Sequence, residues 1–119
     1  MTQENVLERL KNKICIDLVF RKGKVVRSGY LAVHYFIPEG GVEKTHIGVG
    51  IPKKSGLNAY RRNRIKRQLW GVIRQREEEI LSSFSHGFFM LLYKGKSVVS
   101  SKNLSLDFQG LLRSFSQSN

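Results

Sequence analysis

Apolar residues recur at helical spacing at Leu7, Leu10, Ile14 and Leu18, which predicts a helix over residues 5–20, closed by Gly23 and its flanking lysines. Residues 30–37, Tyr-Leu-Ala-Val-His-Tyr-Phe-Ile, are rich in β-branched and aromatic types and stop at Pro38-Glu39-Gly40-Gly41, so they read as a strand ending in a turn. A second strand is predicted over 46–52, where Ile47, Val49 and Ile51 alternate with His46, Gly48 and Gly50, and these two strands are expected to pair as a hairpin. Glycine at two positions of one strand face weakens a sheet, and the usual reason to accept it is close approach of a ligand or another backbone. From Asn58, a suitable N-cap, a long helix is predicted to about Leu81, with Ile65, Leu69, Val72, Ile73 and Ile80 as its buried stripe. Phe88 to Tyr93 is apolar on both faces and reads as a buried central strand. Leu104, Phe108, Leu111, Leu112 and Phe115 then repeat at helical spacing, predicting a closing helix capped by Asn103 and fraying from Ser116 to Asn119.

The polar side of the long helix changes the picture. At about 100° per residue, Asn63, Arg64, Arg67, Trp70 and Arg74 project together away from the apolar stripe, while Arg62 and Lys66 stack along one edge. Like charges stacked there repel unless a phosphate sits between them. Residues 44–76 hold ten Lys or Arg and no Asp or Glu, within a chain of 119 residues carrying 21 basic against 9 acidic residues, net +12. That length fits one domain, 1–119, around one core. A one-sign block left without an anionic partner bears its own repulsion for no evident return, so the expected partner is a polyphosphate, and RNA in particular.

Other chemistries find little support. The lone Cys15 has no partner for an internal disulfide and reads as a small core residue; His34, His46 and His86 lie far apart, without zinc spacing. A reducing, cytoplasmic home is the expectation. The first twenty residues mix charges among their apolar positions and Phe88 to Tyr93 is too short to span a bilayer, so a soluble protein without a membrane partner is expected. Asp17 and Asp107 are isolated, and Glu77-Glu78-Glu79 spans three helix faces as a solvated end, with an Arg74–Glu78 pair open to it. No catalytic or metal-binding residue is assigned to this chain.

Lys53, Lys54, Gly56, Asn58, Ala59 and the run Arg62-Asn63-Arg64-Ile65-Lys66-Arg67 resemble the signature of the bacterial ribonuclease P protein subunit. Arg9-Leu10-Lys11, then Val19-Phe20 before Gly23, resemble that family's first-helix region, and Ile47-Gly48-Val49 resembles the strand leading into the signature, so the likeness covers nearly the whole chain. Three positions depart from the pattern. Leu57 intervenes between Gly56 and Asn58, Trp70-Gly71 stands where an Arg-Glu pair is common, and Ile16 where an aromatic is common.

The resemblance implies an α/β (α+β) sandwich of order α-β-β-β-α-β-α. Its four-stranded, mostly antiparallel sheet would begin with a short strand at 24–28, and strand 46–52, the long helix and strand 88–93 would form a left-handed parallel crossover, against the general preference. It also implies a non-catalytic accessory subunit of a tRNA 5′-maturation endoribonuclease, in which a large catalytic RNA removes the 5′ leader from precursor tRNA. Magnesium would be bound mainly by that RNA and none tightly by this chain, and no obligate protein partner is implied.

On the same ground Arg62, Asn63, Arg64, Lys66 and Arg67, with Lys53, Lys54 and Asn58, would bind the catalytic RNA. A cleft between the first helix and the sheet would receive the single-stranded leader. Phe20 matches the family's aromatic there, Ile16 belongs to the same helix, and Tyr30, Ala32, His34 and Phe36 share one face of a strand assigned to that cleft. Plainer roles stay open: Phe20 as core, His34 as a satisfied, partly buried histidine, Lys53 and Lys54 as a solvated pair. Trp70 is open between stacking on RNA and packing under the C-terminal segment. A basic structural protein of the ribosome is the alternative function, with the same charge logic.

Overall fold

Asn12 interrupts the N-terminal apolar repeat. In the computed structural model, which describes residues 7–84, 86–97 and 99–118 and the side chains among them except those at 53 and 116–118, Asn12 Oδ1 accepts from the backbone N–H groups of Ile14 and Cys15. The first helix is therefore α1, Lys13–Lys22, ending at Gly23. Upstream, Glu8–Arg9 forms a short strand, β1, parallel to β4, His46–Gly50. The expected helix over 5–20 is corrected accordingly, residues 5 and 6 lying outside the described residues. Glu8 N–H donates to Thr45 O and Leu10 N–H to Ile47 O, at 3.0 Å each, which covers an edge that β4 would otherwise leave open.

β2, Lys24–Ser28, and β3, Leu31–Phe36, form a tight hairpin in which Ser28 faces Leu31 and Gly29 takes the first central position at φ 58. A positive φ there is what a type II′ turn requires. β3 does not pair with β4, so the expected hairpin of 30–37 with 46–52 is also corrected. β5, Phe88–Tyr93, lies between them, antiparallel to β3 and parallel to β4, in the order β1-β4-β5-β3-β2. Being apolar on both faces, β5 is stable only where both are covered, which is the middle of the sheet. The sheet thus has five strands with two parallel and two antiparallel pairings, where four mostly antiparallel strands were expected.

The long helix is divided. α2, Ala59–Gln75, gives way at Arg76 (φ −114, ψ 26) to α3, Glu77–Ser83. Arg76 turns to the closing helix α4, Ser101–Ser118, where its Nε and Nη2 donate to Ser105 Oγ at 3.1 and 2.9 Å, while Nη1 pairs with Glu79 at 3.0 Å. Arg76–Glu79, and not Arg74–Glu78, is the ion pair here. Three glutamates in the first turn of α3 suit its partial positive charge. Asn103 sits inside α4; Ser100 Oγ accepts from its N–H and Ser100 O from that of Leu104. The helix expected to fray from Ser116 continues through Ser118.

Two apolar layers result. Leu31, Val33, Ile47, Phe89, Leu91 and Tyr93 of the sheet meet the predicted stripe of α2 and α3, all five of whose residues are buried, and the five predicted residues of α4, also buried. On the opposite face Leu10, Val19, Met90 and Leu92 form a smaller cluster under α1, joined by Cys15, Ile16, Phe36 and Phe88. The glycines of β4 have their reason here. A Cβ on Gly48 would lie 2.7 Å from Met90 Sδ and 3.3 Å from Leu10 O, and one on Gly50 3.1 Å from Leu92 Cδ2.

Candidate nucleic-acid interface

The entry to α2 is built by Leu57, one of the residues that depart from the resembled pattern. Leu57 is only 5% exposed and belongs to the main core, with its N–H donating to Ser55 Oγ at 3.2 Å. Gly56 supplies the left-handed bend before it, at φ 89. Asn58 then caps α2, its Oδ1 accepting from Arg61 N–H at 2.9 Å. This cap is a structural duty for a residue that the sequence assigns to RNA contact.

Beyond the cap the helix presents Arg61, Asn63, Arg64 and Arg67 to solvent, with Lys66 half-buried at the edge and Tyr60 70% exposed at the start. Among the described residues the salt bridges are Lys44–Glu8 and Arg76–Glu79, so none of these cations is neutralised by a carboxylate. Arg62 differs from its neighbours. It bends back so that Nη1 donates to Leu57 O, tying the helix to its own entry loop. Lys54 is exposed in the 3-10 turn Lys53–Ser55, where it shares a cavity of about 310 Å³ with Lys94 and Lys96; the Lys53 side chain lies outside those described. Trp70 packs against the core with the Arg9 guanidinium 4.2 Å above its ring, so the N-terminal strand covers it.

The second group of sequence-assigned residues is split by the fold. Strand alternation places His34 and Phe36 on the α1 side of β3, and Ile16 and Phe36 pack against the cluster beneath α1. Phe20 is 45% exposed, its ring centroid 5.0 Å from that of His34. Tyr30 does not join them, and its expected place on their face is corrected. It belongs to the β2–β3 turn, where alternation lapses: its N–H donates to Asp107 Oδ2 on α4 at 3.1 Å and its ring meets Tyr93 edge-on. The His34 pKa is lowered below the usual 6.5, by burial first and then by Lys94 and Arg27, so the imidazole is neutral at pH 7. Its Nε2 is buried without a hydrogen-bond partner among the described residues.

Arg27, Lys94 and Lys96 escaped the sequence reading. A signal was present for the last two, since Lys94-Gly95-Lys96 follows the carboxyl end of β5, and parallel strands gather ligands at that end.

The Ribonuclease P family model matches residues 5–116. This chain belongs to that family. The Ribonuclease P protein component of Coprothermobacter proteolyticus is 34% identical over 84 residues, which span 71% of this chain and 63% of that relative, less than two thirds of its length. Two solved structures share the fold. The RNase P protein from Thermotoga maritima superposes with a TM-score of 0.73 at 22% identity, covering 90% of this chain and 96% of that one. The RNase P protein of Staphylococcus aureus gives 0.71 at 17% identity, covering 88% and 92%. The family match includes the whole signature and all three departures from it. Within this Ribonuclease P family chain Leu57 is a core anchor, Ile16 packs under α1, and Gly71 opens the outer side of α2.

Proposed function

We propose that this chain is the RNA-binding protein subunit of the ribonucleoprotein ribonuclease P, assisting a catalytic RNA in removing the 5′ leader from precursor tRNA in the cytoplasm. One observation carries the reading: Arg61, Arg64, Lys66 and Arg67 project from one ordered helix, and among the described residues no carboxylate is paired to them. Cations held in place by a helix but left unneutralised bind a folded polyanion without first leaving internal partners. Arginine forks further favour the fixed phosphate pairs of a structured RNA. The face under α1 suits the single-stranded leader, because Phe20 offers an exposed ring beside neutral His34 while Arg27 and Lys94 supply nearby positive charge. Bond scission and its magnesium belong to the RNA in this reading.

Reconstitution tests it. A bacterial ribonuclease P RNA held at limiting magnesium with precursor tRNA recovers 5′ maturation when this protein is added, and the protein with magnesium alone cuts nothing. Failure to rescue, cleavage by the protein alone, or retention on ribosomal subunits through high salt would each reject the proposal.

A further inference from the structure

Two glycines lie inside the long helices, and only one has an internal reason. At Gly110 of α4 a Cβ would sit 2.3 Å from Ser28 Oγ and 3.3 Å from Ser28 Cβ, so the Ser28 side chain of β2 occupies the space beside that glycine. At Gly71 of α2 a Cβ would meet nothing within 4 Å. Glycine in a helix interior is unfavourable relative to alanine because it gives up more backbone freedom, and what it offers in return is close approach to the backbone. Nothing among the described residues does so here.

The space above Gly71 is the floor of a groove of about 430 Å³ between α2 and the start of α4. Arg64 and Arg67 form one rim, seven and four residues before the glycine on the same side of the helix. The other wall is fixed by Gln68, whose Nε2 donates to Val99 O at 3.1 Å and to Ser101 Oγ at 3.2 Å. No acidic residue lines the groove, and the first turn of α4 carries none. The helix dipole there adds to the attraction for negative charge.

We infer that this groove receives the sugar-phosphate backbone of an RNA strand, with Arg64 and Arg67 on neighbouring phosphates and Gly71 admitting the strand to the helix surface. The inference rests on the ribonuclease P reading and deepens it, extending the contact from the signature to the α2–α4 seam.

Gly71→Ala and Gly71→Leu test the groove with a readout that separates packing from contact. Both residues favour a helix over glycine and meet open space, so both variants melt about 3 °C or more above wild type. Binding moves the other way. Gly71→Leu weakens affinity for a bacterial ribonuclease P RNA by about tenfold and makes the slope of log affinity against log salt shallower by about one unit. Gly71→Ala shows a smaller loss. Arg67→Ala costs affinity in wild type but adds less than about twofold in the Gly71→Leu background, since the phosphate is already displaced. Wild-type binding that Gly71→Leu leaves unchanged, or losses that add in the double variant, would overturn the groove alone. No salt-dependent binding by wild type would overturn the RNA reading and the groove together.

Discussion

Replacing Leu57 by alanine removes three side-chain carbons from a residue only 5% exposed in the main core. At about 0.8 kcal/mol per buried carbon the lost transfer energy is about 2.4 kcal/mol. A residual cavity adds to this, but a loop collapses more readily than a helix, so the total belongs near the low end of the roughly 2–5 kcal/mol range for Leu→Ala. The expected cost is therefore about 2.5 kcal/mol. With a urea dependence of about 2 kcal/mol per molar, the unfolding midpoint falls by about 1.2 M at unchanged slope. Urea titration followed by far-ultraviolet circular dichroism reads this directly. A shift corresponding to less than about 0.5 kcal/mol would show that Leu57 is a loop insertion without structural duty, and the account of how α2 is anchored would fail.

The signature separates into internal and external cations. Arg62→Ala loses the guanidinium bond to Leu57 O and is expected to cost about 1–2 kcal/mol of stability, whereas Arg64→Ala stays within about 0.5 kcal/mol but flattens the salt slope of RNA binding by about one unit. Equal stability of the two variants would refute the split. Because the folded-state pKa of His34 is depressed, the unfolded chain binds more protons as pH falls below 6.5, so stability drops through that window and levels off below the folded value. Urea midpoints at pH 7.5 and pH 5 check this, with His34→Gln showing the weaker dependence. Phe20→Ala spares binding to the catalytic RNA and lowers affinity for long-leader precursor tRNA by about fivefold or more, as the loss of one base stack of at least about 1 kcal/mol requires. An equal loss for leaderless tRNA would make Phe20 a packing residue.

The parts of the fold that were legible in the sequence are those whose cause is local and periodic. The stripe Ile65, Leu69, Val72, Ile73, Ile80 and the run Phe88–Tyr93 announce burial by spacing alone, and both are buried. β1 was not legible, because a two-residue parallel pairing depends on β4 nearly forty residues away while Leu7, Leu10 and Ile14 mimic a helix; only Asn12 marked the true start. The break at Arg76 carries no glycine or proline and depends on a serine hydroxyl 29 residues further on. In the candidate site, the one-sign charge of α2 was readable from residue types. The return of Arg62 to Leu57 O, the departure of Tyr30 to α4 and the arrival of Lys94 and Arg27 beside His34 all depend on backbone paths that composition does not encode.

In the proposed function, cations on α2 that no described carboxylate neutralises grip phosphates of a folded catalytic RNA. Its most direct test is the salt dependence of binding to a bacterial ribonuclease P RNA, compared between wild type and the triple variant Arg64→Ala, Lys66→Ala, Arg67→Ala at matched stability. The slope of log affinity against log salt is expected to be shallower by about 2–3 units in the variant. An unchanged slope would contradict it.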